Sequence, residues 1–391
     1  MRKVLVAVAG LATALAAASA ANAADPIKIG MVMSYSGQFA DPTAQMDNGV
    51  KLYMKQHGDT VAGRKIEIIR KDDGGINPPL SKRLTQELIV RDKVDILAGY
   101  TNSPSGFVAA DVSQEAKKFT VFMLAATSGI ITHSKYLARA SFTIPANVGT
   151  LGTWAAKSGI KRVYMMTTDY APGKDAEAAF TANFKAAGGE IIGSVRMPPA
   201  NPDFSAYVQR AKDLNPEAIF VFIPGGTQPA ALAKALAERG VDPKKVKIMT
   251  TGEMVDEQPL ASMGDAAIGI ISGWHYDISH DSQMNKDFVK AYVAEFHRNP
   301  DFFALGGYDG MHVIYEALKK TNGDTDAAKL TAAAKGMSWE SPRGPMSLDP
   351  VTGDVVQTVY IRRVEKVGGK LVNVEIAKFP AVKDPLSMPK K

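Results

Sequence analysis

At 391 residues the chain is longer than one typical hydrophobic core supports, so two domains are expected. Apolar residues make up 46% and charged residues 22%, a globular balance that excludes a disordered or fibrous chain. The formal net charge of +6 is spread along mixed-sign segments rather than clustered with aromatics, which argues against a nucleic-acid groove, and the lack of cysteine excludes disulfides, thiolate chemistry and cysteine-held metal.

The first 23 residues read as a secretory signal peptide. Arg2 and Lys3 precede an apolar run from Val4 to Ala18, and Ala21-Asn22-Ala23 offers a small-x-small cleavage site. The run is too short and Ala-rich for a membrane span. Cleavage after Ala23 removes two positive charges and no acids, so the mature charge is 6 − 2 = +4. A periplasmic location follows as the expectation.

IKIGMVM then forms a strand that ends in a polar turn at Ser34 to Gly37. Thr43 to Gln56 is helical, with Met46, Val50, Tyr53 and Met54 on one face. Arg64 to Asp72 is a strand, Asp72-Asp73-Gly74-Gly75 a turn, and Pro79 to Arg91 a helix. Val94 to Ala98 is a short apolar strand closed by Gly99. Thr101, Asn102 and Ser103 then offer helix caps, and Pro104 suits a first helical position. Thr120 to Ala126 repeats the strand pattern and ends in Ala125-Ala126-Thr127-Ser128-Gly129. Two neighbouring parallel strands thus place hydroxyls and free backbone N–H groups at their carboxyl ends, where open α/β sheets bind ligands and a helix N-terminus favours an anion. Half of a small-anion cradle is expected here.

The alternation restarts after Pro145, which is expected to break an extended segment at Ser141 to Ile144. A helix over Val148 to Lys157 is followed by a strand over Lys161 to Thr168 and a turn at Asp169 to Gly173. Further helices follow at Lys174 to Ala187, Phe204 to Asp213 and Gln228 to Arg239, between strands at Glu190 to Arg196, Ala218 to Ile223, Val246 to Thr251 and Ile268 to Ser272. Two helices, Gln283 to Arg298 and Phe303 to Lys320, precede a hairpin of Gln357 to Glu365 with Lys370 to Lys378. The pattern predicts an α/β fold of two Rossmann-like lobes, with several chain crossings forming a hinge above a cleft.

Enzymatic constellations are missing: no GxGxxG after a strand, no phosphate-binding P-loop, no GxSxG and no HExxH. The histidines at 57, 133, 275, 280, 297 and 312 lack ligand spacing, and Asp72-Asp73 fits a turn better than an acid pair. Cleft serines lack a base. No enzyme, no cofactor and no metal are therefore expected. The strand ends carry instead Tyr35, Ser36, Ser103, Thr127, Asp169, Tyr170, Thr227, Glu253, Trp274 and Tyr276. Glu253, after an apolar strand and a Thr-Thr-Gly turn, could meet an ammonium group while the cradle meets a carboxylate.

In order and spacing, IKIGMVMSYSGQFA, the Asp-Asp turn, GYTNSPSG, LAATSGIIT, TDYAPG, TTGEMVDEQPL, GYDGMHVIYEAL and SLDPVTGD together resemble the substrate-binding proteins of branched-chain amino acid ABC transporters, the type I (Leu/Ile/Val-binding) periplasmic family. The resemblance covers essentially the whole chain. It implies a first lobe of residues 24–144 plus 277–354 and a second of residues 145–276 plus 355–391. It also implies ligand contacts at Tyr35, Ser36, Ser103, Ala125, Ala126, Thr127, Tyr170, Thr227, Glu253, Tyr276 and Phe303. Ser103, Ala125 and Thr127 would hold a carboxylate and Glu253 an ammonium. The implied role is capture of a small carboxylate, a branched-chain or other amino acid first, by a monomer that closes and docks on permease subunits. An aromatic carboxylate or a small amide is the alternative, because Pro42, Pro172 and Thr227 stand where relatives often carry aromatic walls. A ligand-sensing receptor module shares this fold, but a receptor would need a membrane span.

Overall fold

A computed structural model describes residues 25–387; the expected signal peptide, residues 1–23, lies outside the described residues. Among them are two sheets. The first has the strand order Thr60–Val61, Arg64–Asp72, Ile27–Met33, Ile96–Gly99, Thr120–Phe122 and Leu137–Arg139. All its pairings are parallel except that of the short edge strand Thr60–Val61. Strand Ile96–Gly99 is buried at every position, as a strand covered on both faces must be.

The second sheet has nine strands. Glu190–Met197, Arg162–Thr168, Ala218–Phe222, Lys247–Thr250 and Ile271–Trp274 are parallel neighbours in that order. The long hairpin Val355–Val367 with Lys370–Val382 adds to it antiparallel. Strands Ser338–Ser341 and Gly344–Leu348 also join this sheet, through pairing of Met346 with Gln357. The sequence reading assigns residues 277–354 to the first lobe; these two strands pair into the second sheet, while Trp339 and Ser341 bond Asp309 of helix Phe302–Lys320. The 13-residue strand Val355–Val367 extends past its other partner and leaves its first residues free to pair.

Helix Phe302–Lys320 packs on helix Ala40–His57 beneath the first sheet. The crossing is so close that a Cβ on Gly49 would lie 1.9 Å from the Ala304 carbonyl oxygen, so both backbones meet directly there. Pro145 does not break an extended segment. It sits in the first turn of helix Ile144–Lys157, where its missing N–H has no intrahelical partner to lose. Helix Ala171–Ala186 likewise starts earlier than expected and takes Pro172 into its first turn.

The chain crosses between the sheets at 140–144, 275–282 and 335–338. A single buried arginine ties the first of these crossings to the second sheet and to helix Phe302–Lys320. Arg343 donates from Nη1 to the Ser141 carbonyl at 2.5 Å and to Gln357 Oε1 at 2.7 Å. Its Nη2 donates to the Ala140 carbonyl at 2.5 Å and to Asp309 Oδ2 at 2.6 Å. Both Arg343 and Asp309 side chains are 1% exposed, so this ion pair depends on its full set of partners. After the last strand, residues 383–387 return to the first lobe, where Ser128 donates to Asp384 and Ser387 donates to Asp354.

Candidate ligand-binding cleft

Strand Ile96–Gly99 delivers the chain to the cleft through Tyr100, and Asn102 caps the next helix by accepting the Ser105 N–H at 2.9 Å. That fixes Ser103 as the first residue of helix Ser103–Ala116, with Pro104 behind it. Ser103 Oγ accepts the N–H of Ala126 at 3.2 Å and of Thr127 at 3.1 Å. The two strand-end turns are thereby locked together, and the Ser103 hydroxyl hydrogen is left to donate. Behind this cradle the fully buried Asp73 accepts hydroxyls from Ser34 at 2.6 Å, Ser81 at 2.8 Å and Ser105 at 3.0 Å. The acidic pair after the second strand is thus a turn anchor, with Asp72 accepting the Gly74 N–H at 2.9 Å.

A small pocket lies on this cradle between the lobes. The first lobe contributes Phe39, Phe142, Ile144 and Phe303 beside Ser103, Ala125 and Ala126; the second contributes Tyr170, Pro172, Phe222, Pro224 and Glu253. None of these lining residues is a lysine, arginine or histidine. Glu253 sits in the short turn Gly252–Met254, packed over Trp274 so tightly that a Cβ on Gly252 would lie 2.2 Å from the indole. Burial pushes the Glu253 carboxyl up to about 8 against the opposing pull of the Thr251 hydroxyl, and its Oε2 has no hydrogen-bond partner. Burial and the neighbouring Glu253 likewise hold the Tyr170 phenol well above its ordinary value.

The lobes meet around this pocket. The Ser128 N–H donates to Asp175 Oδ2 of the second lobe at 3.1 Å. Asn299 Nδ2 donates to Glu257 at 2.8 Å on another side. Gly226, at φ +88°, faces the Gln38 carbonyl across the mouth, and a Cβ there would lie 2.4 Å from that oxygen. The two lobes are thus in direct contact around the mouth of the pocket.

Six of the expected site residues converge here: Ser103, Ala125, Ala126, Tyr170, Glu253 and Phe303. Five do not line the pocket. Thr127 contributes its backbone N–H to the cradle, but its buried Oγ1 is left unpaired off the wall. Tyr35 packs against the first-lobe core, between Asp47 and Arg70. Ser36 is exposed and its N–H bonds Asp72 at 3.3 Å. Thr227 is on the outer rim opposite Asp41 and Pro42. Tyr276 is buried elsewhere, donating to Asn285 at 3.0 Å among the carboxylates of Asp256, Asp277 and Asp301. The sequence reading missed Phe39, Phe142 and Phe222, so the walls it found absent at 42, 172 and 227 are built from other positions. Phe222 did carry a signal, as the last residue of an apolar strand just before Pro224-Gly225-Gly226.

Residues 26–370 match the periplasmic binding protein family. The chain is 38% identical to the Leu/Ile/Val-binding protein homolog 6 of Brucella melitensis, over 97% of this chain and 98% of that one. Among solved structures it is similar to a solute binding protein of an ABC transporter from Rhodopseudomonas palustris BisB5, in complex with 3,4-dihydroxybenzoic acid. That protein is 51% identical, with a TM-score of 0.89 over 92% of this chain and 99% of the other. A solute binding protein from Rhodopseudomonas palustris HaA2, in complex with p-hydroxybenzoic acid, gives 40% identity and a TM-score of 0.89 over the same shares. Fold, cleft and these likenesses agree: the chain belongs to the periplasmic binding protein family, as a solute-binding protein of an ABC transporter.

Proposed function

We propose that the protein captures a small aromatic carboxylate of the hydroxybenzoate class in the periplasm and hands it to a permease on lobe closure. The observation that carries this reading is the pocket's composition: an anion cradle at one end and a sleeve of Phe39, Phe142, Phe222, Phe303 and Tyr170 around the remainder. A ligand carboxylate would displace Ser103 Oγ from the Ala126 and Thr127 N–H groups and accept the Ser103 hydroxyl as well, at the positive end of a 14-residue helix. Planar rings stack offset or edge-on against aromatic walls, and each such contact contributes about 0.5–1.5 kcal/mol beyond its buried area. The named ligands of the two Rhodopseudomonas relatives support this reading.

A branched-chain amino acid is the second reading, favoured by the carboxyl of Glu253 inside the pocket and by the name of the Brucella relative. An ammonium next to Glu253 would ionise it and form a charge-assisted bond. Calorimetric titration of the mature protein with 4-hydroxybenzoate, 3,4-dihydroxybenzoate, benzoate, leucine, isoleucine and valine separates the two. Micromolar binding of the hydroxybenzoates without measurable binding of leucine is expected. Tighter binding of leucine than of any benzoate would overturn the reading.

A further inference from the structure

Glu253 poses a charge problem that an aromatic acid does not solve. The pocket walls carry no cation, and the groups that satisfy a ligand carboxylate are neutral hydroxyls and backbone N–H groups. An ionised Glu253 facing a ligand anion in the same closed space would place two like charges in a low-dielectric cavity. The ionisable side chain beside Glu253 is Tyr170, which is neutral. His275, next to Trp274 under the Glu253 turn, is held uncharged by burial and by Arg343 and Arg362. Asp256 lies three residues along the chain and faces Asp301, Asp277 and Glu257. Among the described residues no neighbour therefore supplies a compensating charge, while Glu253 Oε2 remains unpaired inside the protein.

We infer that Glu253 closes on an aromatic acid as an uncharged carboxylic acid, so that each ligand anion is captured together with one proton and the acid group reads a ring hydroxyl. The inference rests on the aromatic-carboxylate reading above. A protonated carboxyl carries both a donor and an acceptor, so it can give a hydrogen bond to a phenol oxygen and take one from its O–H. Unsubstituted benzoate leaves it unpaired. Opening of the cleft would let water reach Glu253 and bring its carboxyl back down toward the ordinary carboxylate range. The proton is therefore taken from the buffer at closure. An amino acid would behave oppositely, because its ammonium keeps Glu253 ionised in both states and closure takes up no proton there.

The test is calorimetry of the mature protein with 4-hydroxybenzoate in two buffers of different ionisation enthalpy, at pH values from 5.5 to 7.5. Net proton uptake of up to one per ligand at pH 7 is expected, and Kd should weaken as pH rises, by up to about tenfold per pH unit. Asp175 also approaches the first lobe on closure, so the measurement is repeated with Asp175→Asn, in which the uptake assigned to Glu253 should persist. Glu253→Gln, neutral at every pH, should lose this uptake and flatten the pH profile. At pH 7.5 it should bind 4-hydroxybenzoate at least about tenfold more tightly than the wild type, which no structural or ammonium-binding role predicts. Binding of 4-hydroxybenzoate without proton uptake, or uptake unchanged in Glu253→Gln, would overturn the inference and leave the aromatic reading standing. Binding of leucine in place of 4-hydroxybenzoate would overturn that reading itself.

Discussion

Closure can be tested at a single backbone atom. Gly226 lies on the second-lobe loop that meets Gln38 across the cleft mouth, and a methyl group there would sit 2.4 Å from the Gln38 carbonyl oxygen. Carbon–oxygen contacts settle near 3.3 Å, so Gly226→Ala should force the lobes apart by roughly 1 Å at that point. The obstacle is backbone and cannot rotate away. The ligand would keep the first-lobe cradle but lose close contact with Tyr170, Phe222 and Glu253. A gap of that size admits no water but forfeits a quarter to a half of the dispersion attraction between one ring face and its wall, about 1–2 kcal/mol over roughly twenty-five atom pairs at about 0.1–0.2 kcal/mol each. One weakened hydrogen bond adds about 1 kcal/mol, so affinity should fall about a hundredfold. The φ of +88° adds about 1–2 kcal/mol of strain in the open and closed forms alike, which lowers stability slightly without explaining lost affinity. Gly225→Ala is the graded control, since its Cβ would meet the tip of the Phe303 ring at 2.8 Å, and a ring can tilt. Calorimetry gives the affinities and X-ray scattering with ligand gives the degree of closure. If Gly226→Ala binds within threefold of the wild type, the loop does not seat on Gln38 in the liganded state and the reasoning fails.

Ser103→Ala should weaken every carboxylate ligand by about ten- to a hundredfold, the loss of one charge-assisted hydrogen bond of about 1.5–3 kcal/mol. An equal loss for 4-hydroxybenzyl alcohol, which lacks the carboxylate, would refute the assignment. Arg343→Met leaves Asp309 buried without its partner and should cost about 3–5 kcal/mol of stability in denaturant titration. Adding Asp309→Asn should restore part of that loss, and failure to do so would mean the hinge carbonyls dominate. Burial and the nearby Asp384 raise the Asp175 carboxyl to about 6. A raised carboxyl contributes stability below its ordinary value and loses it as pH rises through about 6. Asp175→Asn, which can still accept the Ser128 N–H, should therefore gain melting temperature over the wild type at pH 7.5 but not at pH 4.5. Parallel shifts at both would contradict this.

The carboxylate end of the site was legible because it is local. Ser103, Pro104 and the Ala125-Ala126-Thr127 turn announce a capped helix and a strand end within thirty residues of each other, and sheet topology makes them neighbours. The ring end is assembled from Phe39, Phe142, Phe222 and Phe303, which no spacing rule relates. Each follows or begins an ordinary element, and only the meeting of two sheets brings them to one wall. Tyr276 misled for the converse reason. It stands two residues after a strand end, as a cleft residue would, yet its hydroxyl finds Asn285 nine residues along and the ring turns into the lobe. Residues 338–348 escaped because two strands of four and five residues, with one exposed side each, carry little periodicity. Glu253 was legible as a carboxyl in the second lobe. Its lack of a cation was not, because an absence can be seen only once the neighbours are placed.

Arg343 makes the hinge behave as a pin joint. Several separate linkers between two bodies could bend, shear and twist independently, and the bodies would then reopen along many paths. One guanidinium clasping the Ala140 and Ser141 carbonyls, the Gln357 side chain and Asp309 holds the first linker to a strand of the second sheet and to a helix of the first lobe, and so restrains sliding at that point. An opening that pivots at this clasp would make the distance between the lobe tips a function of one angle. Such a protein reports occupancy to whatever touches both tips in the same way for every ligand it accepts, whatever the ring substituents buried inside.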